Sequence, residues 1–211
     1  VAVMGIGQNV QKFDLQLYLR SRFIDKGYKV SQIGTKKISG LFGLHPLPDF
    51  LFNTQYSDVD KVYAFNRVMK DVSMQEKPDV ILLGIPDSLL PLNNKHRFSF
   101  GLYAYEIFNA VQPDFVITSL MANDGYNDEF YSEISKMAKY KYNVNIDAYF
   151  VSQFCPLSNS IWSEKLSYVY LPRMELPKTE YKVYTTSDLN NDILFKQAEK
   201  KLLLYGKYEQ Y

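Results

Sequence analysis

The sequence has a single cysteine, Cys155, and only two histidines, His45 and His96, among its 211 residues. One thiol excludes an internal disulfide framework, and so few thiols and imidazoles exclude a cysteine-rich zinc or iron–sulfur site and a multi-histidine metal centre. No apolar run approaches the roughly 20 residues that span a bilayer, and no charged-then-apolar leader is present. We therefore predict a cytoplasmic protein without a membrane span.

The chain also lacks an excess of charge of either sign. Its 24 basic and 23 acidic side chains leave a formal net charge of +1. A chain so evenly balanced has no long-range field to hold nucleic acid or an anionic membrane, so neither is predicted as a partner. Hydrophobic residues make up 46% of the sequence, which is enough for a continuous buried core. The 18 tyrosines and 14 phenylalanines predict interfaces as well as core, a homodimer among them.

Short apolar runs alternate with segments of helical periodicity along most of the chain. Strands that are apolar throughout and separated by helices predict an α/β fold, in which a mostly parallel sheet is covered by helices on both faces. The predicted strands cover residues 1–4, 29–33, 80–83, 115–120 and 148–151, with edge strands at 166–171 and 182–185. The predicted helices cover residues 12–26, 57–72, 101–111, 127–140 and 192–205.

The loop after the first predicted strand has the composition of a phosphate-binding loop. In open parallel sheets, ligands bind beyond the carboxyl ends of the strands, and free N–H groups at a helix start favour an anion. Glycines allow close backbone approach, and Lys12 adds a positive charge. An ordinary loop with Lys12 in solvent is the structural alternative. The predicted phosphate-binding residues are Gly5, Gly7, Gln8, Asn9, Gln11 and Lys12.

Three positions depart from the pattern of magnesium-dependent phosphate loops, and two of them, Phe13 and Gly84, are positions that would hold magnesium. The pattern places glycine before the lysine and Ser or Thr after it, but Gln11 and Phe13 hold these positions. Gly84 ends the third predicted strand where a magnesium-binding acid is expected, and Asp87 follows three residues later. Asp14 and Asp87 are therefore the predicted magnesium candidates. No residue is predicted to be catalytic, because triphosphate hydrolysis depends on that metal.

Polar residues that follow two other predicted strands are expected at the same edge of the sheet. Asn123 and Asp124 follow the strand at 115–120 and are candidates for contact with a base or ribose. An ordinary Asn-Asp-Gly turn is the alternative. Gly34 and Thr35 follow the second strand and are expected at the pocket edge, with a helix cap and a packed turn as the alternative.

Several segments resemble known families. The eight-residue loop at 5–12 resembles that of dethiobiotin-synthetase-like P-loop proteins, in the class that includes nitrogenase iron protein and the signal-recognition GTPases. A more specific similarity is to a bacterial family described as peptide maturation system proteins, found beside ribosomally made peptides that are modified and exported. This similarity extends over roughly two-thirds of the chain. The segments that carry it are residues 12–17, 27–30, 32–35, 41–43, 78–81 and 122–124.

The resemblance implies a P-loop NTPase-like three-layer sandwich. Residues 1–156 would form the P-loop-like α/β core, and residues 157–211 would add strands and a helix that complete the same domain. ATP or another nucleoside triphosphate with magnesium would be the cofactor, and a precursor peptide or a maturation protein would be the partner. Because Val1 lies within an apolar strand with no lead-in, we also expect an upstream N-terminal region that this sequence does not include.

Three functional hypotheses follow. The leading one is a nucleotide- or phosphate-binding P-loop-like protein that acts in maturation of a ribosomally made peptide. Gln11, Phe13 and Gly84 argue against hydrolysis, and with the aromatic content they support the alternative of a catalytically inactive P-loop-fold scaffold, a pseudoenzyme that binds a peptide or protein partner. A Rossmann-like dinucleotide enzyme ranks last. Val10 stands where its third glycine is required, and no ribose-binding acid ends the second strand.

Overall fold

A central sheet of seven parallel strands organises the molecule. The computed structural model describes residues 1–172 and 174–205. The strands are β1 (Ala2–Gly5), β2 (Val30–Gly34), β3 (His45–Pro46), β4 (Val80–Gly84), β5 (Val116–Leu120), β6 (Ala148–Val151), β7 (Phe154–Pro156), β8 (Tyr168–Tyr170) and β9 (Val183–Tyr184). Their order in the main sheet is β3-β2-β4-β1-β5-β6-β9, which places the first strand at the centre. β7 and β8 pair antiparallel in a separate ribbon.

Within the described residues, six α-helices connect or flank these strands. They are α1 (Lys12–Asp25), α2 (Asp58–Glu76), α3 (Leu102–Ala110), α4 (Asp128–Tyr142), α5 (Thr186–Asn190) and α6 (Ile193–Tyr205). Side-chain caps begin two of the longest helices: Ser57 accepts from the Asp60 amide before α2, and Asn127 accepts from the Phe130 amide before α4. Shorter 3-10 turns span Lys37–Phe42, Asp49–Phe52 and Ser158–Ser160.

Both faces of the sheet are apolar and each carries helices. Met4 and Leu83 point to the face on which α2, α3 and α4 pack. Val3 and Leu82, one residue earlier in each strand, point to the face on which α1 and α6 pack. Because successive side chains of a strand alternate between faces, strands that are apolar throughout, such as β1 and β4, pack into both layers. The predicted α/β three-layer sandwich is therefore confirmed.

The predicted helices and central strands are confirmed, and the differences concern short pieces. Of the two predicted edge strands, residues 182–185 contribute β9 at the sheet edge. Residues 166–171 instead contribute β8, which pairs with β7 outside the main sheet. The two-residue β3 was not predicted, because a strand so short has no periodicity. The end of the predicted 157–211 segment, residues 206–211, lies outside the described residues.

The order of the inner strands separates this sheet from the dinucleotide-binding folds. Without the short edge strands β3 and β9, the inner five strands follow the order 2-3-1-4-5 when numbered along the chain. The Rossmann order is 3-2-1-4-5-6 and the flavodoxin-like order is 2-1-3-4-5. The strand order therefore does not support the hypothesis of a Rossmann-like dinucleotide enzyme. In residues 1–172 and 174–205, no helix combines the length and the apolar character needed to cross a bilayer.

Candidate phosphate-binding site

The loop at residues 5–12 joins the central strand β1 to α1 at the carboxyl edge of the sheet. Two backbone hydrogen bonds anchor its start. The amide of Leu89, in the segment after β4, donates to the Gly5 carbonyl at 3.0 Å, and the Ile6 amide donates to the carbonyl of Ser119 in β5 at 3.0 Å. The Ser119 hydroxyl donates to the Val10 carbonyl and fixes the far side of the loop. The loop is thus held on both sides at the position where parallel sheets bind ligands.

The loop backbone carries a run of amide donors without a protein acceptor. Asn9 and Gln11 adopt the left-handed conformation, with φ of 53° and 55°. Left-handed residues alternating along a chain turn successive N–H groups toward one concave side, which is an anion-binding nest. In the described part of the chain, the amides of residues 7–14 donate no hydrogen bond to any protein acceptor. A helix start leaves only about four N–H groups free, so the run begins well before α1.

Lys12 begins α1, and its amine is held by a neutral partner. It donates to the backbone carbonyl of Asp87. Burial lowers the pKa of the Lys12 amine to about 8, and the nearby Asp87 carboxylate opposes that shift. This carboxylate itself accepts from Gln8 Nε2 at 3.0 Å and from the Ser99 amide at 2.8 Å. The structure therefore brings Gln8, Lys12 and Asp87 together, and the Asp87 carboxylate already accepts two hydrogen bonds from the protein.

The two loop glycines are required by close contacts with side chains. A Cβ atom at Gly7 would lie 2.0 Å from the terminal methyl of Met121, and one at Gly5 would lie 2.6 Å from a methyl of Val10. Neither glycine has the positive φ that favours this residue type. These glycines therefore make room for neighbouring side chains of the protein.

A cleft of about 370 Å³ opens over the loop and the first turn of α1. Its volume lies in the range of roughly 300–1,000 Å³ that is usual for small-molecule pockets. A larger cavity of about 510 Å³ lies near Val80 and Pro113, where the strands begin. We favour the smaller cleft because parallel sheets bind ligands at the carboxyl ends of their strands. The cleft is lined by Asn9, Val10, Gln11, Lys12, Phe13, Asp14, Thr35, Lys36, Phe154 and Tyr168.

Three of these lining residues were missed by the sequence interpretation. Phe154 and Tyr168 come from the β7–β8 ribbon, which no local pattern connects to the loop. The Tyr168 hydroxyl is buried without a partner in the described residues, and burial raises its pKa. Lys36 directly follows Thr35, which was expected at the pocket edge. The position of Lys36 after β2 could therefore have identified it as a lining residue. Its Nζ lies 5.4 Å from the centre of the Phe13 ring.

The predicted base-contacting residues lie apart from this cleft. Asn123 and Asp124 are exposed and line another cavity, together with Leu171 and Met174. The Asn123 side-chain oxygen accepts from the Gly125 amide at 2.8 Å. This bond is the ordinary Asx turn, which the sequence offered as the alternative.

Comparisons with known proteins support the fold. No protein-family model matches the chain, and no curated protein matches it. A solved DUF1611 family protein from Anabaena variabilis superposes with a TM-score of 0.51 and 14% identity, over 72% of this chain and 44% of that one. A MobB protein homolog from Bacillus stearothermophilus gives 0.43 and 11%, over 96% and 97%. The signal recognition particle receptor FtsY from Elizabethkingia anophelis gives 0.43 and 17%, over 71% and 48%.

Identities this low bear on the fold alone. The chain spans less than half the length of the DUF1611 family protein that it matches. The likeness to the DUF1611 family protein is consistent with the three-layer α/β architecture described above.

Magnesium accompanies phosphate in many P-loop proteins, but the residues after the loop do not supply its ligands. Phe13 occupies the position of the metal-binding hydroxyl, is only 7% exposed, and packs on Phe42 with ring centres 6.1 Å apart. Asp14 is exposed, and Asp87 is engaged as described above. Within residues 1–172 and 174–205, no group of three or more His, Cys, Asp or Glu side chains is placed to hold a metal.

Other side chains fill the space beside Gly84, where an acid that binds magnesium is expected. A Cβ atom at Gly84 would lie 2.4 Å from the Thr35 methyl and 2.6 Å from Gln16 Oε1. Gln16 is fully buried, and its Nε2 donates to the Ile33 carbonyl at 3.1 Å. A carboxylate therefore has no room at Gly84. The residues present do not fit a resident magnesium ion.

Proposed function

We propose that this chain binds a nucleoside phosphate, or another ligand that carries phosphate, on the loop at residues 5–12. The observation that carries the proposal is the run of backbone amides from 7 to 14 without a protein acceptor. An anion there would satisfy several donors at once and would be stabilised by the positive end of the α1 dipole. The cleft above the loop adds two cationic side chains, Lys12 and Lys36.

The Lys12 amine can exchange its present acceptor, the Asp87 carbonyl, for a phosphate oxygen. Its pKa of about 8 leaves most of the amine protonated at neutral pH. The Asp87 carbonyl that it now contacts is uncharged. The ammonium gains the attraction between opposite charges when its acceptor is a phosphate oxygen, and a neutral carbonyl does not offer this attraction. Phosphate binding would therefore be favoured over the contact with Asp87.

The biological part of the proposal is a role in the maturation of a ribosomally made peptide, in the cytoplasm. Its support is the sequence resemblance carried by segments such as 12–17 and 78–81. A precursor peptide or a maturation protein would be the partner. Triphosphate hydrolysis is not part of the proposal, because Phe13 and Gly84 stand where the metal-binding groups of hydrolysing enzymes are expected.

A catalytically inactive scaffold that binds a peptide or protein is the second candidate. Large apolar side chains are exposed on adjacent helices: Val59 and Tyr63 on α2, and Leu102 and Tyr105 on α3. Exposed apolar patches mark interaction sites more often than single exposed residues do. Partner binding that is the same with and without nucleotide, and unchanged in Lys12→Met, would favour this candidate.

Isothermal calorimetry with ADP and ATP tests the leading proposal. Lys12→Met keeps the aliphatic stem that packs near Gly5 and removes the amine. We expect at least tenfold weaker nucleotide binding in this variant, because a hydrogen bond to a charged group contributes about 1.5–3 kcal/mol. Lys70→Gln is the matched control, since Lys70 is an exposed α2 residue at the opposite edge of the sheet. Negligible heats for the wild-type protein would contradict the proposal.

A further inference from the structure

We propose that this site binds its phosphate ligand without a magnesium ion, with Lys36 supplying the second positive charge. The inference rests on the proposed function and narrows the ligand class to the metal-free anion of a nucleoside diphosphate or triphosphate. Three observations support it: the packing at Gly84, the environment of Phe13, and the charges that line the cleft.

The packing at Gly84 excludes a metal-binding acid for steric reasons. Magnesium in phosphate sites is held by one or two carboxylates and by the phosphates themselves. A side chain at Gly84 would overlap both Thr35 and Gln16. Gln16 is tied to the Ile33 carbonyl, so it does not move away without losing that hydrogen bond. Its Oε1 atom is buried at the same place and has no partner in the described residues.

Phe13 replaces the metal-binding hydroxyl and also positions a cation. Its ring is buried, and its centre lies 6.1 Å from that of the Phe42 ring. The Lys36 ammonium lies 5.4 Å from the ring centre, within the range of a cation–π interaction. A positive charge is therefore held next to the residue that, in a magnesium-dependent loop, would bind the metal.

The charges that line the cleft complete the argument. Lys12 and Lys36 contribute two positive charges, and Asp14 contributes the one carboxylate among the described lining residues. Two ammonium groups and a run of free amides neutralise a diphosphate with no metal. Asp14 alone gives a metal ion one protein ligand.

Calorimetry of ADP and ATP in excess EDTA and in excess magnesium, at constant ionic strength, tests the inference. We expect both nucleotides to bind at least as tightly in EDTA as in magnesium. Lys36→Gln should weaken binding in EDTA about tenfold, because it removes one charge-assisted contact. Lys70→Gln removes the same charge at the opposite edge of the sheet and should bind like the wild type.

The outcomes distinguish the two proposals. Binding that requires magnesium would overturn the inference and leave the proposed function standing. Wild-type affinity of Lys36→Gln in EDTA would also overturn it. If neither nucleotide binds under either condition, both proposals fail.

Electron paramagnetic resonance of Mn²⁺ gives a second readout. Added to a mixture of Mn²⁺ and ADP, the protein should withdraw metal-free ADP and increase the signal of free Mn²⁺. A decrease of that signal would show that the protein binds the metal complex and would overturn the inference.

Discussion

The contact between Gly84 and its neighbours permits a stability prediction in which a single methyl group is the perturbation. A Cβ atom at Gly84 would lie 2.4 Å from the Thr35 methyl and 2.6 Å from Gln16 Oε1, both far inside van der Waals contact. The φ of Gly84 is not in the left-handed region, so Gly84→Ala adds no backbone strain. The loss in stability therefore comes from displacing the side chains of Thr35 and Gln16.

Making room requires the movement of two constrained side chains. Overpacking a buried site costs about 1–3 kcal/mol. If Gln16 moves away, it also loses its hydrogen bond to the Ile33 carbonyl, which is a further ~1 kcal/mol. We expect Gly84→Ala to lower the free energy of unfolding by about 2–3 kcal/mol. Gly84→Asp should cost more, because it also buries an unpaired carboxylate.

Urea unfolding measures these changes, and the chain offers a matched control. A Cβ atom at Gly40 would meet no atom within 4 Å, so Gly40→Ala should change the unfolding free energy little. In a double-mutant cycle, Gly84→Ala should cost about 1 kcal/mol less in a Gln16→Ala background. Equal costs for Gly84→Ala and Gly40→Ala, or no coupling to Gln16, would refute the argument that packing blocks the metal position.

Two further predictions concern the left-handed loop residue and a buried ion pair. Gln11→Gly and Gln11→Ala both lose the 2.7 Å hydrogen bond from the Gln153 amide, but only glycine adopts the positive φ without strain. The free energy of unfolding should therefore be about 1 kcal/mol lower for Gln11→Ala than for Gln11→Gly. Lys61→Met, which leaves Glu106 buried and unpaired, should cost about 3–5 kcal/mol. Burial raises the pKa of Glu106, and a raised folded-state pKa gives stability that is lost as pH rises. The Lys61 ammonium lowers that pKa, so its removal raises the pKa of Glu106 further. The cost of Lys61→Met should therefore grow as the pH rises above the usual range of a glutamate, and a cost independent of pH would contradict this.

Local signals made most of the fold predictable from the sequence. The strands β1 and β4 are apolar runs that end at glycine, and α2 carries both a serine cap and helical spacing. These features depend on residues within a few positions of one another. The ribbon of β7 and β8 depends instead on pairing between segments more than ten residues apart, and neither strand is long enough to show alternation.

The site was predictable in part for the same reason. Gln8 and Lys12 were predicted to bind phosphate from their position after the first strand, and the structure places both beside Asp87. The departure at Gly84 was visible as a missing acid. Its physical cause was not visible, because Gln16 reaches Gly84 only after α1 packs on β4. Tyr168 was likewise placed in the cleft by tertiary packing alone.

The most direct test of the central claim is an amide chemical-shift titration of the ¹⁵N-labelled protein with ADP in the presence of EDTA. Direct hydrogen bonds from backbone amides to phosphate change the environment of those amides more than that of any others. We predict the largest shifts at residues 7–14, with smaller shifts at Thr35 and Lys36. Shifts centred on Val80 and Asp114, at the larger cavity on the opposite edge of the sheet, would contradict the claim. So would the absence of any shift in the loop at saturating ADP.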